Sequence, residues 1–283
     1  MDRIRVGVIG TGRFGRIHAR NLAALPQCEL VGVNDLLEER GKAAAGESGT
    51  VFYPDQEALI RAADALFITA ATVAHAPLAA RCLSSGKHVF LEKPMAVNAA
   101  EAAPLCALAR ESRVKFQVGH IERFNPAFLA LAALERTAPP VMEAARCSPY
   151  HPRGTDMSVV HDLMIHDIDL VLRLAGSAVS SVSAQGKKVF SSTPDICTAE
   201  IRFRDGARAT LLADRVSEKR VRTLAFSSGG ERRVADLDGA QNILKNEIES
   251  FLASVLADKP VVVTPEEGLQ ALELADRILT LCG

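Results

Sequence analysis

Residues 10–15 read Gly10-Thr11-Gly12-Arg13-Phe14-Gly15, a glycine loop between an apolar run and a helical segment. Glycine at 10 permits a tight turn off the preceding strand, glycine at 12 lets backbone approach a pyrophosphate, and glycine at 15 lets the helix pack closely on the strand. Unpaired amides at the start of that helix would face the anion. Such loops also occur for structural reasons alone, but the strand before it and the helix after it favour a dinucleotide site formed by all six residues.

Asp35 follows a second apolar run and lies twenty residues after Gly15. A carboxylate there can accept hydrogen bonds from the adenosine ribose hydroxyls, and it repels a 2′-phosphate. The next two residues are leucines, which offer no guanidinium to such a phosphate. We therefore predict NAD over NADP. Two alternatives stay open: Asp35 could instead cap a helix, and Arg13 is either a solvated loop charge or a residue that tolerates the extra phosphate.

Short apolar runs alternate with helical stretches through the first 120 residues. Near-continuous apolar strands with helices between them indicate a parallel sheet covered on both faces. The pattern predicts a doubly wound Rossmann domain over residues 1–120. Its elements are expected at 4–9, 14–25, 29–33, 36–45, 65–68, 76–84, 88–91, 99–111 and 115–118.

Residues 121–283 follow a different pattern. In residues 197–204 apolar and polar side chains alternate strictly, and Asp205-Gly206 supplies a turn, which is typical of an antiparallel hairpin. Thr264 and Glu267 are spaced as a capping box before a closing helix. We predict an α+β domain over 121–283 with an open, mainly antiparallel sheet; its helices are expected at 126–136, 156–174, 241–257 and 265–281, and a further strand pair at 221–226 and 233–237.

The composition is that of an ordinary soluble globular protein. The 33 basic and 34 acidic side chains interleave along 283 residues, so there is no concentrated positive face of the kind that binds nucleic acid. The six cysteines form no Cys-x-x-Cys pair, which argues against a metal or redox motif. Neither a leader sequence nor a membrane span is recognisable. We expect a cytoplasmic protein without nucleic-acid, membrane or metal partners.

Glu92-Lys93-Pro94 follows the predicted strand 88–91 at its carboxyl end. Doubly wound sheets bind their ligands at that edge. A lysine there can donate to a substrate hydroxyl or carbonyl oxygen, and Pro94 makes the turn rigid by fixing its own backbone angle. An isolated tripeptide of this kind would more often be a solvated loop. The position favours a site, and we expect Glu92 and Lys93 among the cofactor contacts.

Together, the glycine loop and Glu92-Lys93-Pro94 resemble the glucose-fructose oxidoreductase, inositol dehydrogenase and rhizopine-catabolism family of two-domain NAD(P)-dependent sugar oxidoreductases. The resemblance spans nearly the whole chain. It implies a Rossmann domain followed by an α/β domain whose open sheet commonly forms oligomer contacts. A homodimer or homotetramer acting on a sugar or nucleotide sugar is therefore expected.

The family carries an Asp-x-x-x-His motif on a helix of its second domain, which Asp162 and His166 match. A spacing of four puts both side chains on one face of an α-helix, with Asp169 on roughly the same face. His166 can accept the proton of a hydroxyl as its carbon loses hydride, and Asp162 can fix the imidazole or bind a neighbouring hydroxyl. The alternative is a plain surface face. We expect Lys93, Asp162 and His166 to be catalytic and to bind substrate.

Two stretches depart from the family pattern. A glycine pair often precedes the Asp-x-x-x-His motif, but residues 158–161 are Ser-Val-Val-His. The loop after the strand 65–68 usually contains Thr-Pro-Asn, but residues 70–72 are Ala-Ala-Thr. Thr72 and His75 could line the nicotinamide pocket. They could equally be a helix cap and a packed helical histidine.

A narrower resemblance lies in residues 118–126 and 162–169, which look like the UDP-N-acetylglucosamine 3-dehydrogenases. It implies that Arg123 and Arg153 bind the diphosphate of a nucleotide sugar, because guanidinium groups match phosphate oxygens. For each arginine a surface or interdomain salt bridge is an equal alternative. Two other functions also stay open: an NAD-dependent redox glycosidase, and a non-catalytic sensor that binds a dinucleotide.

Overall fold

The computed structural model describes residues 3–151 and 157–282. The chain divides into two compact units. The first contains Met1–His120 and Leu244–Leu269, and the second contains Ile121–Ile243 and Gln270–Gly283. The second unit differs from the predicted second domain, 121–283, because Leu244–Leu269 belong to the first unit.

The first unit is built on a parallel five-stranded sheet with the order β2-β1-β3-β4-β5. The chain reverses direction across the sheet at β1, since β2 lies on one side of it and β3 on the other. The carboxyl ends of strands on either side of such a switch point form the usual ligand crevice of this fold. The strands are β1 Ile4–Ile9, β2 Cys28–Asn34, β3 Ala65–Ile68, β4 His88–Glu92 and β5 Phe116–Gly119.

Six helices accompany this sheet. Five come from the first 120 residues and the sixth, α8, comes from near the end of the chain. Its Phe251 meets Phe67 and Phe90 of the sheet, with ring centroids 5.4 and 5.8 Å apart. The helices are α1 Arg13–Ala24, α2 Glu38–Ser48, α3 Gln56–Ala62, α4 His75–Ser84, α5 Ala99–Ser112 and α8 Ile243–Leu256. The sequence analysis missed α3, which spans about two turns and starts at an Asp55 cap.

The second unit is built on a mixed six-stranded sheet with the order β11-β10-β6-β9-β8-β7. Only β6 and β9 pair in parallel; the other pairs are antiparallel. The two sheets confirm the predicted fold class. The strands are β6 Val141–Cys147, β7 Val179–Lys187, β8 Ile196–Phe203, β9 Arg208–Asp214, β10 Val221–Ser228 and β11 Glu231–Asp236.

The helices of the second unit differ from the prediction in two places. Helix α6, Pro126–Ala132, ends four residues early, and the predicted helix 156–174 is a π-helical turn, Val160–Met164, followed by α7, Ile165–Ala175. Helix α9, Pro265–Leu281, starts in the first unit and ends in the second. Its predicted capping box is confirmed: the Thr264 amide donates to Glu267 at 3.0 Å, and the Glu267 amide to the Thr264 hydroxyl at 3.2 Å.

Within the ranges 3–151 and 157–282, no helix has the length and apolar character needed to cross a membrane. The same residues contain no cluster of three or more histidine, cysteine, aspartate or glutamate side chains suited to a metal ion.

Candidate dinucleotide and substrate site

The glycine loop turns between β1 and α1. Gly10 has φ +91°, and a Cβ on it would lie 2.5 Å from the Ala70 backbone. A Cβ on Gly15 would collide with the Gly10 carbonyl oxygen, so both glycines are needed for the turn itself. A Cβ on Gly12, in contrast, would meet nothing within 4 Å. The loop is therefore open at Gly12, where the fingerprint places a pyrophosphate, and the residues present fit a dinucleotide.

Gly12 is also the N-cap of α1, and it offers no side chain to bond the first amides of that helix. Those amides stay available to an anion. Phe14 is exposed, whereas Thr11 is buried and points the other way. The backbone amide and the hydroxyl of Thr11 both donate to Asp35, at 2.6 and 2.9 Å. Thr11 thus differs from the rest of the loop in that its hydrogen bonds hold the carboxylate at the end of β2.

Asp35 is a buried carboxylate bonded from three sides. Besides Thr11, the Leu37 amide donates to it at 2.8 Å. Leu37 and not Asp35 is the N-cap residue of α2, so Asp35 does not cap the helix as the alternative expected. The Arg40 guanidinium of α2 adds two bonds, 3.0 Å from Nε and 2.7 Å from Nη2. Burial works to raise the pKa of Asp35, but the hydrogen bonds from Arg40, Leu37 and Thr11 outweigh it and hold the pKa below its usual value. The carboxylate is ionised at neutral pH.

Arg40 corrects one step of the sequence argument. The preference for NAD was inferred from Asp35 and the two leucines that follow it, which carry no guanidinium group. The structure places one directly on the carboxylate, five residues along the chain. The end of β2 therefore does not by itself distinguish NAD from NADP.

At the end of β4, Glu92 is held by a histidine that the sequence analysis missed. His18 of α1 is fully buried against the stacked rings of Phe67 and Phe90, and its Nε2 lies 2.7 Å from Glu92 Oε1. Burial works to raise the pKa of Glu92, and the contact with His18 outweighs it, so that pKa is lowered. The missed signal was spacing: His18 is three residues after Gly15, on the face of α1 that packs on the sheet.

Lys93 follows Glu92, and its backbone amide donates to the Glu92 carboxylate at 3.2 Å. Its side chain is half-buried, and the Lys93–Pro94 peptide bond is cis. His75 lies against this turn: its Nδ1 is 2.8 Å from the Pro94 carbonyl oxygen and its Nε2 is 3.0 Å from that of Ala70. Burial lowers the pKa of His75. A buried imidazole in these contacts is the packed histidine of the alternative interpretation.

Thr72 begins a 3₁₀ turn ahead of α4 and is half-buried. The turn lies in the loop that follows β3, next to the glycine loop at Ala70. The structure therefore brings the loops after β1, β2, β3 and β4 to one edge of the first sheet, as a doubly wound fold requires.

In the second unit, Asp162 lies in the π-helical turn and His166 in the first turn of α7, both half-buried. A spacing of four places two side chains on one face only in a continuous α-helix, and this π-helical turn is wider because its hydrogen bonds run from i to i+5. His161 anchors this turn to α9: its Nε2 lies 2.7 Å from Asp276, and its Nδ1 lies 3.0 Å from the Ser158 hydroxyl. Ser158 and His161, from the stretch that stands where the family often has a glycine pair, thus brace the segment that carries Asp162.

Asp167 and Asp169, the next two carboxylates, are buried in ion pairs. Arg146 donates to Asp167 at 3.0 and 2.8 Å, and Arg123 donates to Asp169 at 2.6 and 2.8 Å. The Arg123 side chain is 4% exposed and that of Asp169 1%. Arg123 thus forms a salt bridge, but it is buried within the second unit and is neither the surface nor the interdomain pair of the alternative. A diphosphate would have to compete with a buried carboxylate for it. Arg153 lies outside the described residues.

Two family models match the chain. One, the oxidoreductase family with the NAD-binding Rossmann fold, matches residues 4–120. The other, the GFO/IDH/MocA C-terminal domain, matches residues 136–231.

Two relatives are similar over nearly the full length. The UDP-N-acetylglucosamine 3-dehydrogenase of Acidithiobacillus ferrooxidans is 33% identical, over 97% of this chain and 96% of its own. A solved structure of that enzyme has a TM-score of 0.93 at 32% identity, covering 99% of this chain and 98% of the other. The myo-inositol 2-dehydrogenase of Thermotoga maritima is 27% identical, over 96% of this chain and 94% of its own.

Proposed function

Because the chain belongs to the GFO/IDH/MocA oxidoreductase family, we propose that it is an NAD-dependent dehydrogenase of a ring hydroxyl in a sugar or nucleotide sugar. One observation carries the proposal: the open glycine loop after β1 and the lysine turn after β4 lie at the same edge of one parallel sheet. A dinucleotide held at the glycine loop would therefore bind at the edge of the sheet to which Lys93 contributes its ammonium group.

The loop 10–15 would hold the pyrophosphate, and the end of β2 would receive the adenosine ribose. A bound nicotinamide supplies the hydride acceptor for alcohol oxidation. The chain supplies the rest. Glu92, fixed by His18, anchors the backbone of the turn through the Lys93 amide.

Lys93 donates from its ammonium group to the substrate oxygen and stabilises the negative charge that develops there. His166 accepts the hydroxyl proton, and Asp162 orients the imidazole or binds a neighbouring hydroxyl. These roles are proposals drawn from the family motif. Removing either the donor or the acceptor should lower kcat more than it raises KM, since both act on the reacting oxygen.

For the substrate we propose UDP-N-acetylglucosamine, oxidised at its 3-hydroxyl. The full-length similarity to an enzyme with that activity supports this choice over a free polyol. A diphosphate would bind Arg123 only in competition with its buried partner, the Asp169 carboxylate. We also propose a homodimer or homotetramer, which light scattering after size exclusion would test.

The test is to incubate the protein with NAD and a panel of nucleotide sugars and inositols, following reduced nicotinamide and product mass. Stoichiometric NADH with a 3-keto product is expected from UDP-N-acetylglucosamine. Lys93→Ala and His166→Ala should each lower kcat about 100-fold or more. Lys42→Ala, which removes an exposed lysine paired with Glu38, is the control.

Three outcomes would contradict the proposal. Release of an aglycone without accumulation of NADH would indicate a redox glycosidase. Tight NAD binding without turnover of any sugar would indicate a sensor. Full activity of both Lys93→Ala and His166→Ala would remove the assigned catalytic roles while leaving a dehydrogenase.

A further inference from the structure

The Arg40–Asp35 pair joins a buried acceptor to a half-exposed donor. The Asp35 side chain is 1% exposed and that of Arg40 is 44% exposed. Arg40 is the third residue of α2, so its side chain starts from the helix that follows β2. The solvent-exposed member of this pair is thus the Arg40 guanidinium. It lies at the end of β2, where the family fingerprint places the adenosine ribose.

The acceptor capacity of Asp35 is already used. Five donors reach it: Thr11 N, Thr11 Oγ1 and Arg40 Nε on one oxygen, Leu37 N and Arg40 Nη2 on the other. A carboxylate offers about four lone-pair positions. A ribose hydroxyl can therefore bond Asp35 only in place of a donor already present. Thr11 is buried and the two amides are fixed in the backbone, so the donor that can move is Arg40.

The charge of Asp35 is also compensated. An isolated carboxylate at this place repels a 2′-phosphate. The formal charges of Asp35 and Arg40, however, add up to zero. Two N–H groups of the guanidinium bond Asp35. Its remaining N–H groups are on a half-exposed side chain, and guanidinium groups bind phosphate oxygens in the same forked manner.

We propose that Arg40 sets how strongly this enzyme discriminates between NAD and NADP. With NAD, Arg40 moves aside and leaves an acceptor position on Asp35 to the ribose 2′-hydroxyl. With NADP, Arg40 stays beside Asp35 and donates to the 2′-phosphate, which lowers the penalty that the carboxylate alone would impose. The inference rests on the proposed cofactor site. It predicts that the preference for NAD over NADP is moderate because Arg40 reduces the repulsion between Asp35 and the 2′-phosphate.

The experiment is a calorimetric titration of the purified protein with NAD and with NADP, plus 2′-AMP and 5′-AMP as fragment probes. It needs neither a substrate nor turnover. Arg40→Ala should weaken NADP and 2′-AMP about tenfold or more, the worth of a charge-assisted bond, and change NAD and 5′-AMP about threefold or less. Arg40→Gln, which is shorter than arginine but keeps a polar side chain without the charge, covers the case in which the alanine variant folds poorly.

Arg5→Ala is the matched control. Arg5 also holds an aspartate with two bonds, 3.1 and 2.6 Å to Asp64, and its side chain is 51% exposed. It lies in β1 at the other end of the sheet from the glycine loop, so its removal should leave all four titrations unchanged.

The inference is overturned if Arg40→Ala weakens NAD and NADP equally, or weakens neither, since Arg40 would then only brace Asp35. If the wild-type protein binds no dinucleotide, this inference and the proposed function fail together. If the selective loss of NADP is found but no sugar is oxidised, the proposed function fails and the role of Arg40 stands.

Discussion

Arg40 in the first unit and Arg123 in the second each hold an aspartate by two guanidinium bonds, and the bond lengths are similar. They differ in surroundings: Arg40 is 44% exposed, and Arg123 is 4% exposed. A half-exposed guanidinium can leave its partner for a ligand because water and the ligand replace the lost bonds. A buried guanidinium leaves behind an uncompensated charge. The comparison separates an arginine available for recognition from one that maintains the fold.

The largest expected effect is on the stability of the second unit. Arg123→Ala leaves the Asp169 carboxylate buried without this partner, which costs about 3–5 kcal/mol of unfolding free energy. Urea denaturation followed by circular dichroism measures it, since the chain has no tryptophan to report by fluorescence. The double variant Arg123→Met with Asp169→Leu should recover most of the loss. A fully stable Arg123→Ala that no longer binds a nucleotide sugar would reverse the comparison and make Arg123 a ligand residue.

A smaller effect is expected at Asp35. Its pKa in the folded chain lies below the unfolded value of about 3.9. Its contribution to stability is therefore present above that value and is lost as the pH falls through the folded pKa. Asp35→Asn should cost about 1–3 kcal/mol at pH 7, because several hydrogen bonds to a charge weaken. The gap between wild type and variant should close below about pH 4 in unfolding curves; a gap that stays constant to pH 3 would contradict this.

The smallest effect is expected for Arg40 itself. Arg40→Ala should lower the unfolding free energy by about 1 kcal/mol, because Arg40 is half-exposed and Thr11 and Leu37 still donate three hydrogen bonds to the buried Asp35 carboxylate. Added salt should reduce the difference further. Arg5→Ala should lower it by no more than this in the same denaturation series, because Asp64 is 39% exposed and stays solvated without its partner. A loss as large as that of Arg123→Ala would remove the distinction between the two pairs.

The sequence predicted the features that depend on local order. The glycine loop, the parallel strands, the capping box of α9 and the hairpin at Asp205-Gly206 follow from spacing and turn chemistry, which act over a few residues. The family resemblance named the oxidoreductase class, which the family models confirm.

What the sequence did not predict depends on tertiary contacts. Asp169 was placed with His166 by helical spacing, yet it is buried on Arg123, 46 residues away along the chain. Arg40 was overlooked because only the residues next to Asp35 were considered. Helix α8 has an amphipathic pattern that would suit packing in either unit. Periodicity predicts which face of a helix is buried but not which core that face joins.

Helix α8 also has a consequence for synthesis of the chain. Phe251, Ile248 and Leu252 complete a core that otherwise consists of side chains before residue 91. All of the second sheet is translated between these two contributions. At ribosomal rates this is on the order of ten seconds, during which Phe67 and Phe90 have been made and their aromatic cover has not. The nucleotide-binding unit therefore keeps part of its apolar core uncovered while the whole second sheet is translated, and that interval is when chaperones would meet it.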